Sequence, residues 1–193
     1  AMGIIIYGSS EPRGIEICNN VINGNDRGVS PQDTSPLVAN NTFYGNTIGI
    51  GIAANSQGIY KNNIFQNETT AISAFGSTLL SEVSWNLFFN NGADFSGMAA
   101  CTSNCILGSD PLLVNPAGQN YHIKPGSPAI DTAAGVIDAA AGIHAPNQDM
   151  DYRPRPMDGN GDGVAKVDIG ADELHATPPP PNTPKVKLVP RGQ

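Results

Sequence analysis

The chain has 193 residues, and 39% hydrophobic content is enough to bury a core. Only 14% of residues are charged, against 22 Gly and 16 Pro, which opposes a helix-rich fold and favours strands and turns. A net charge of −7 with ten Lys and Arg excludes nucleic acid as an expected partner, because a phosphate backbone needs clustered cations.

No stretch approaches the roughly 20 apolar residues that a membrane-spanning helix requires, so no membrane span is expected. Ala1-Met2-Gly3 reads as a cloning remnant, and a fold running from residue 4 to 174 is expected after it. The first half of that span is a repeat. Asn20-Val21-Ile22-Asn23-Gly24-Asn25, Asn41-Thr42-Phe43-Tyr44-Gly45-Asn46, Asn63-Ile64-Phe65-Gln66-Asn67 and Asn86-Leu87-Phe88-Phe89-Asn90 each place apolar residues between asparagines. Three residues before each leading Asn stand Ile17, Val38, Tyr60 and Val83, and downstream come Gly28-Val29, Gly49-Ile50, Ala71-Ile72 and Asp94-Phe95.

A unit of some 21 to 23 residues is too short for a helical repeat, which takes about 33 or more. It suits one coil of a β-solenoid, in which each short strand pairs in parallel with its counterpart one coil away, about 4.8 Å distant. Inward columns must then be apolar. Asn fits the corners because it tolerates left-handed backbone and its amide can bond to the Asn above and below. A leucine-rich repeat shares the period but demands Leu columns, which are absent here. The expected fold class is therefore all-β, with coils over about residues 4–97.

Within the coils, Tyr44 and Phe89 stand in repeat columns where core stacking is the ordinary explanation; pointing outward, they would offer a platform for sugar rings. Asp26 and Glu68 are expected to share a column two coils apart, with Thr47 between them. Such a pair of acids could serve an inverting glycosidase, but two solvated turn acids are the plainer reading. The basic residues Arg13, Arg27 and Lys61 fall in different columns, which leaves a polysaccharide lyase without a positioned base.

After Gly97 the periodicity fades into an expected closing segment over about 98–174. Cys101 and Cys105 are close enough to form a small disulfide loop, which suggests an oxidising compartment. Asp158-Gly159-Asn160-Gly161-Asp162-Gly163, followed by Asp168, places oxygens at alternate positions with Gly at the sixth. That pattern predicts calcium on Asp158, Asn160, Asp162 and Asp168. The acid falls one residue short of the EF-hand's twelfth position, so the alternative is a polar turn. The stretch 177–184, TPPPPNTP, reads as an extended linker and the LVPRG run 188–192 as vector-derived, so 175–193 is set apart as a tail.

Asp110-Pro111-Leu112-Leu113-Val114-Asn115-Pro116, Asn120-Tyr121-His122-Ile123, Gly126-Ser127-Pro128-Ala129-Ile130-Asp131 and Asp168-Ile169-Gly170-Ala171-Asp172-Glu173 occur in that order. Together they resemble the C-terminal end of bacterial parallel β-helix repeat proteins of the pectate-lyase-like superfamily, over about residues 14–174. The resemblance implies a right-handed coil and an extracellular or cell-surface setting, but no particular activity. It implies that this tail closes the exposed last coil, with Ile123, Ala129 and Ile130 as its cover. The functional expectation is a noncatalytic, monomeric module contacting a polysaccharide or cell-surface glycan. The alternatives are the C-terminal part of a calcium-dependent polysaccharide lyase or glycoside hydrolase, and a structural spacer.

Overall fold

The computed structural model describes residues 1–8, 12–53, 55–75, 81–97 and 99–175. The TPPPPNTP and LVPRG stretches lie outside these residues, as does the side chain of Arg13. β1 (Met2–Tyr7) is followed by β2 (Pro12–Cys18), β3 (Val21–Asn23), β4 (Arg27–Gln32), β5 (Ser35–Ala39), β6 (Thr42–Tyr44) and β7 (Ile48–Ile52). Then come β8 (Ile59–Lys61), β9 (Ile64–Gln66), β10 (Thr70–Ala74), β11 (Glu82–Ser84), β12 (Leu87–Phe89), β13 (Ala93–Gly97) and β14 (Ile106–Leu107). They stack as three parallel sheets: sheet A in the order β1-β4-β7-β10-β13, sheet B as β2-β5-β8-β11, and sheet C as β3-β6-β9-β12-β14. Every third strand pairs with its counterpart, so the described residues form a β-solenoid of four coils.

The register is the one the repeat columns imply. Ile17 pairs with Val38, Val38 with Tyr60 and Tyr60 with Val83, while Val29, Ile50, Ile72 and Phe95 align in sheet A. These columns fill the interior. Sheet C contributes Phe43, Phe65 and Phe88, whose rings stack at 4.7 and 5.0 Å with interplanar angles of 12° and 7°. The small-residue column is explained by the same stack: a Cβ on Gly49 would meet the Ala71 carbonyl oxygen at 2.6 Å and the Phe65 ring at 3.1 Å.

The corners divide the work expected of one asparagine between two residues. At the corner between sheets B and C, Asn19, Asn40, Asn62 and Trp85 adopt φ of 53° to 59°, and of the residues that follow them Asn41, Asn63 and Asn86 are buried. Asn20, Asn41, Asn63 and Asn86 form the ladder: the side-chain oxygen of Asn63 accepts from the backbone N–H and side-chain amide of Asn41, both at 3.0 Å. Its own amide donates to the Val38 carbonyl at 2.9 Å and to Asn86 at 3.0 Å. Each rung thus satisfies backbone groups that the tight corner leaves without strand partners.

The end of the stack and the tail differ from expectation. Phe95, Ala99 and Cys105 pack against the interior cluster, and the Cys101–Cys105 disulfide loop bonds to the last coil through Thr102 to Val83 and Trp85 to Ser103. Ile123, Ala129 and Ile130 do not cover this end. They join Leu113, Tyr121 and Ile169 against Ile64 and Leu87 on the outer face of sheet C. The tail contains two antiparallel hairpins, β15 (Leu113–Asn115) with β16 (Asn120–Ile123) and β17 (Val136–Asp138) with β18 (Ile143–His144). The second sets Ile137 against Leu37 and Ala39 of sheet B. The outer faces of sheets B and C carry apolar residues, among them Leu37, Ala39, Ile64 and Leu87, and a lateral second layer buries them as an end cap could not.

The corner asparagines are the docking points. Asn62 exchanges hydrogen bonds with Ala134, accepting at 2.9 Å and donating at 2.8 Å. Asn40 donates to the Asp168 carbonyl and Asn19 to the Gln148 carbonyl.

Asn63→Ala removes an acceptor used twice and a donor to a buried carbonyl. It is expected to cost about 3 kcal/mol, or roughly 6 to 12 °C in Tm. Asn67→Gly, at a corner where Gly24 and Gly45 already stand with φ of 66°, is expected to cost less than about 1 kcal/mol. Thermal melts of both variants check the contrast, and equal losses would contradict the division of labour.

Candidate functional site

At the second corner, between sheets C and A, Gly24, Gly45, Asn67 and Asn90 hold the left-handed backbone and a second ladder follows. Asn25 donates to Asn46, and Asn46 to Glu68 at 3.1 Å, while the Glu68 N–H donates to Asn91 at 2.9 Å. Glu68 therefore occupies an asparagine rung. Asp26 lies one residue off this rung, in a column continued by Thr47, Thr69 and Gly92, as shown by Ile48 bonding to the Asp26 carbonyl, Thr70 to Thr47 and Ala93 to Thr69. The expected Asp26–Glu68 pair does not form. The one-residue slip arose because Asn67 and Asn90 look like the ladder asparagines Asn25 and Asn46 but stand one position earlier in their coils.

Glu68 is 1% exposed, and its Oε2 has no hydrogen-bond partner. Burial pushes its carboxyl up to about 8, although the hydrogen bonds from Asn46 oppose this. A buried acid with one orphaned oxygen is stabilised by taking up a proton.

The acids of the tail motifs form a second buried group. Asp168 accepts from the Asp131 and Leu174 N–H groups, both at 2.7 Å, and Asp131 accepts from Asn160 and Lys166. Glu173 accepts from Met157 and Asp168. Its Oε2 also lies 2.9 Å from Arg155 Nε, an ion pair whose N–H is not aimed at the oxygen. Arg155 in turn donates to the Gly170 and Asp172 carbonyls. Burial raises Asp168 to about 8, with Glu173 adding, and raises Glu173 to about 7 against the pull of Arg155. Asp172 holds His122 Nδ1 at 2.8 Å and accepts from the Ile123 N–H. That hydrogen bond raises the imidazole above its ordinary value, although burial opposes it. These motif residues are consumed in tying the tail together.

The loop 158–163 bonds largely to its own backbone. Asp158 accepts from the Gly161, Asp162 and Gly163 N–H groups, Asn160 from Asp162, and Asp162 from Val164. Asp168, fully buried with both oxygens taken, is not part of this loop's polar set. Asp-Gly alternation here serves turn geometry.

The two aromatic candidates separate. Tyr44, Gln66 and Phe89 are in register on sheet C and project outward, opposite to the Phe43, Phe65 and Phe88 stack. Phe89 packs beneath the tail as part of its apolar cluster. Tyr44 meets Tyr121 edge to face at 5.7 Å. Together with Asn23, Gly24, Gly45, Pro116, Ala117 and Gln119 they line an open groove of about 220 Å³ at the seam between coils and tail. Tyr121 is the partner that sequence reasoning missed. Its place in the tail motif suggested closure, and nothing local connects it to a residue 77 positions earlier.

Residues 1–108 match the family described as "Periplasmic copper-binding protein (NosD)". The chain belongs to the NosD family. Membership agrees with the parallel β-helix seen here, and it gives the family's setting as periplasmic. No curated protein and no solved structure matches the chain. The calcium expectation is corrected, because the family description names copper. No group of three His, Cys, Asp or Glu side chains among the described residues could hold a metal ion. No helix among them is long and apolar enough to cross a membrane.

Glu68, Asp168, Glu173 and His122 are all shifted upward, so the folded state binds protons more tightly than the unfolded chain. The stability they contribute is greatest in acid and is lost as pH rises from the ordinary carboxylate range through about 8. Tm is expected to fall between pH 5 and pH 8. Glu68→Asn, which restores the residue used in the other three coils, is expected to raise Tm by several degrees at pH 8 and little at pH 5. A variant no more stable than the parent at pH 8 would show that the rung tolerates the charge.

Proposed function

We propose that the chain is a noncatalytic periplasmic module whose solenoid contacts carbohydrate. The observation that carries this reading is the groove at the coil–tail seam, in which two tyrosines and two amide side chains converge without any acidic or basic side chain. Aromatic faces and amides suit the ring faces and hydroxyls of a sugar. The acids that a hydrolase would require in the same place are committed to ladder and tail.

The enzyme alternative is weakened by the same geometry. Glu68 is enclosed, and Lys61 is buried, donating to the Ile137 carbonyl at 2.8 Å and pairing with Glu82 at 2.7 Å. The spacer alternative shares the fold and differs only in predicting no ligand.

Copper, the ion of the family description, does not fit the donors of the matched span. Residues 1–108 contain no histidine, and their sulfur atoms are those of Met2, Cys18, Met98, Cys101 and Cys105. Two of these form the disulfide, and burial pushes the Cys18 thiol up to about 11, away from the thiolate a metal needs. Beyond that span, His122 Nδ1 is held by Asp172.

A glycan array with the intact chain is expected to return neutral polysaccharides, with no unsaturated or reducing-end product released on incubation. Product release would move the reading to the enzyme, and an array without any hit would leave the spacer.

A further inference from the structure

Resting on the carbohydrate reading, we infer that the seam groove is the binding site itself and that it takes a single neutral sugar ring of a longer chain. The groove exists only because coils and tail meet. Asn23, Gly24, Tyr44 and Gly45 come from two successive coils, and Pro116, Ala117, Gln119 and Tyr121 come from the first hairpin of the tail. Neither half makes it alone.

Its parts are held in place. The Asn23 amide donates to the Tyr121 hydroxyl, and the Asn67 amide donates to the Tyr44 hydroxyl at 3.1 Å. Both phenols are therefore oriented before a ligand arrives, and the Asn23 side-chain oxygen is left as an acceptor beside the ring of Tyr44. Gln119, exposed and held at φ 61° by its N–H bond to the Pro116 carbonyl, lines the groove from the tail. Between these lie Gly24 and Gly45, where a Cβ would meet nothing within 4 Å. The backbone floor is open at the two places where the next coils carry Asn67 and Asn90.

The class of ligand follows from what lines the space. With Asn, Gln and Tyr as the only polar side chains, the groove has hydroxyl-directed donors and acceptors but no cation to neutralise a carboxylate or sulfate. Since the chain carries −7 overall, an acidic polysaccharide would be repelled as well as unpaired. The volume of about 220 Å³ falls below the roughly 300 Å³ at which pockets for drug-sized ligands begin, which fits one ring lying against the Tyr44 face while its neighbours remain in solvent.

The corner supplies an unusually clean test. Gly45→Asn keeps the left-handed backbone, since Asn67 and Asn90 hold it in the same corner, yet fills the floor with a side chain. The protein would be titrated by NMR with cellohexaose, maltohexaose and mannohexaose in turn, and with hexagalacturonate as the acidic control. The expected result is that a neutral hexaose shifts the side-chain amides of Asn23 and Gln119, and that Gly45→Asn and Tyr44→Ala each weaken it at least tenfold while Gly45→Asn leaves Tm unchanged. Neutral binding that survives both variants overturns the groove but not the carbohydrate reading. Binding of hexagalacturonate alone overturns the neutral class. No binding of any of the four overturns this inference, and an empty glycan array would in addition overturn the reading it rests on.

Discussion

The fold depends on side-chain amides that stand in for backbone at the corners. A solenoid coil of some two dozen residues must turn sharply between strands of three to five residues, and each turn strands N–H and carbonyl groups inside the wall. Asn41, Asn63 and Asn86 answer this by spanning two coils each, donating to a carbonyl at 2.8 to 2.9 Å and accepting from the coil beside them. The apolar columns supply the bulk of the stabilisation, but it is the ladder that fixes which residue faces in. A slip of one residue would turn Phe43, Phe65 and Phe88 out into solvent.

The same corners explain how the tail attaches. Because the ladder residue points inward, the left-handed residue before it points outward, and Asn19, Asn40 and Asn62 present a row of amides along the outside of the stack. The tail uses that row, laying its carbonyls at Ala134, Gln148 and Asp168 upon it. The acidic motif residues then lock the tail to itself around Arg155. Both clusters of tail hydrophobes fall on sheets B and C, so one set of asparagines organises the interior and the next organises the second layer.

Much of the architecture was legible because its signals are periodic. The columns of Ile17, Val38, Tyr60 and Val83, and of Asn20, Asn41, Asn63 and Asn86, are repeats of one physical environment, and they stack in register in the fold. What could not be read is what breaks the period. Glu68 reads one column off because its coil shifts the visible asparagine by one position, and its burial is visible only once the register is fixed. The tail's route was hidden for a different reason. Ile123, Ala129 and Ile130 are apolar in either role, and only the apolar outer residues Ile64 and Leu87 hint that sheet C needs a lateral cover. The groove lay beyond sequence reasoning altogether, since Tyr121 reaches Tyr44 through the tail's path. The Asp158 loop misled because alternating Asp and Gly suit a backbone turn as well as a cation.

The most direct measurement of the ladder is amide hydrogen exchange. The backbone N–H groups of Asn20, Asn41, Asn63, Asn25 and Glu68 bond to side-chain oxygens and not to strands. They should exchange as slowly as the neighbouring strand amides, and lose protection only when the stack opens as a whole. Fast exchange at these corner positions, with the strand amides still protected, would contradict the claim that side-chain rungs carry the turns.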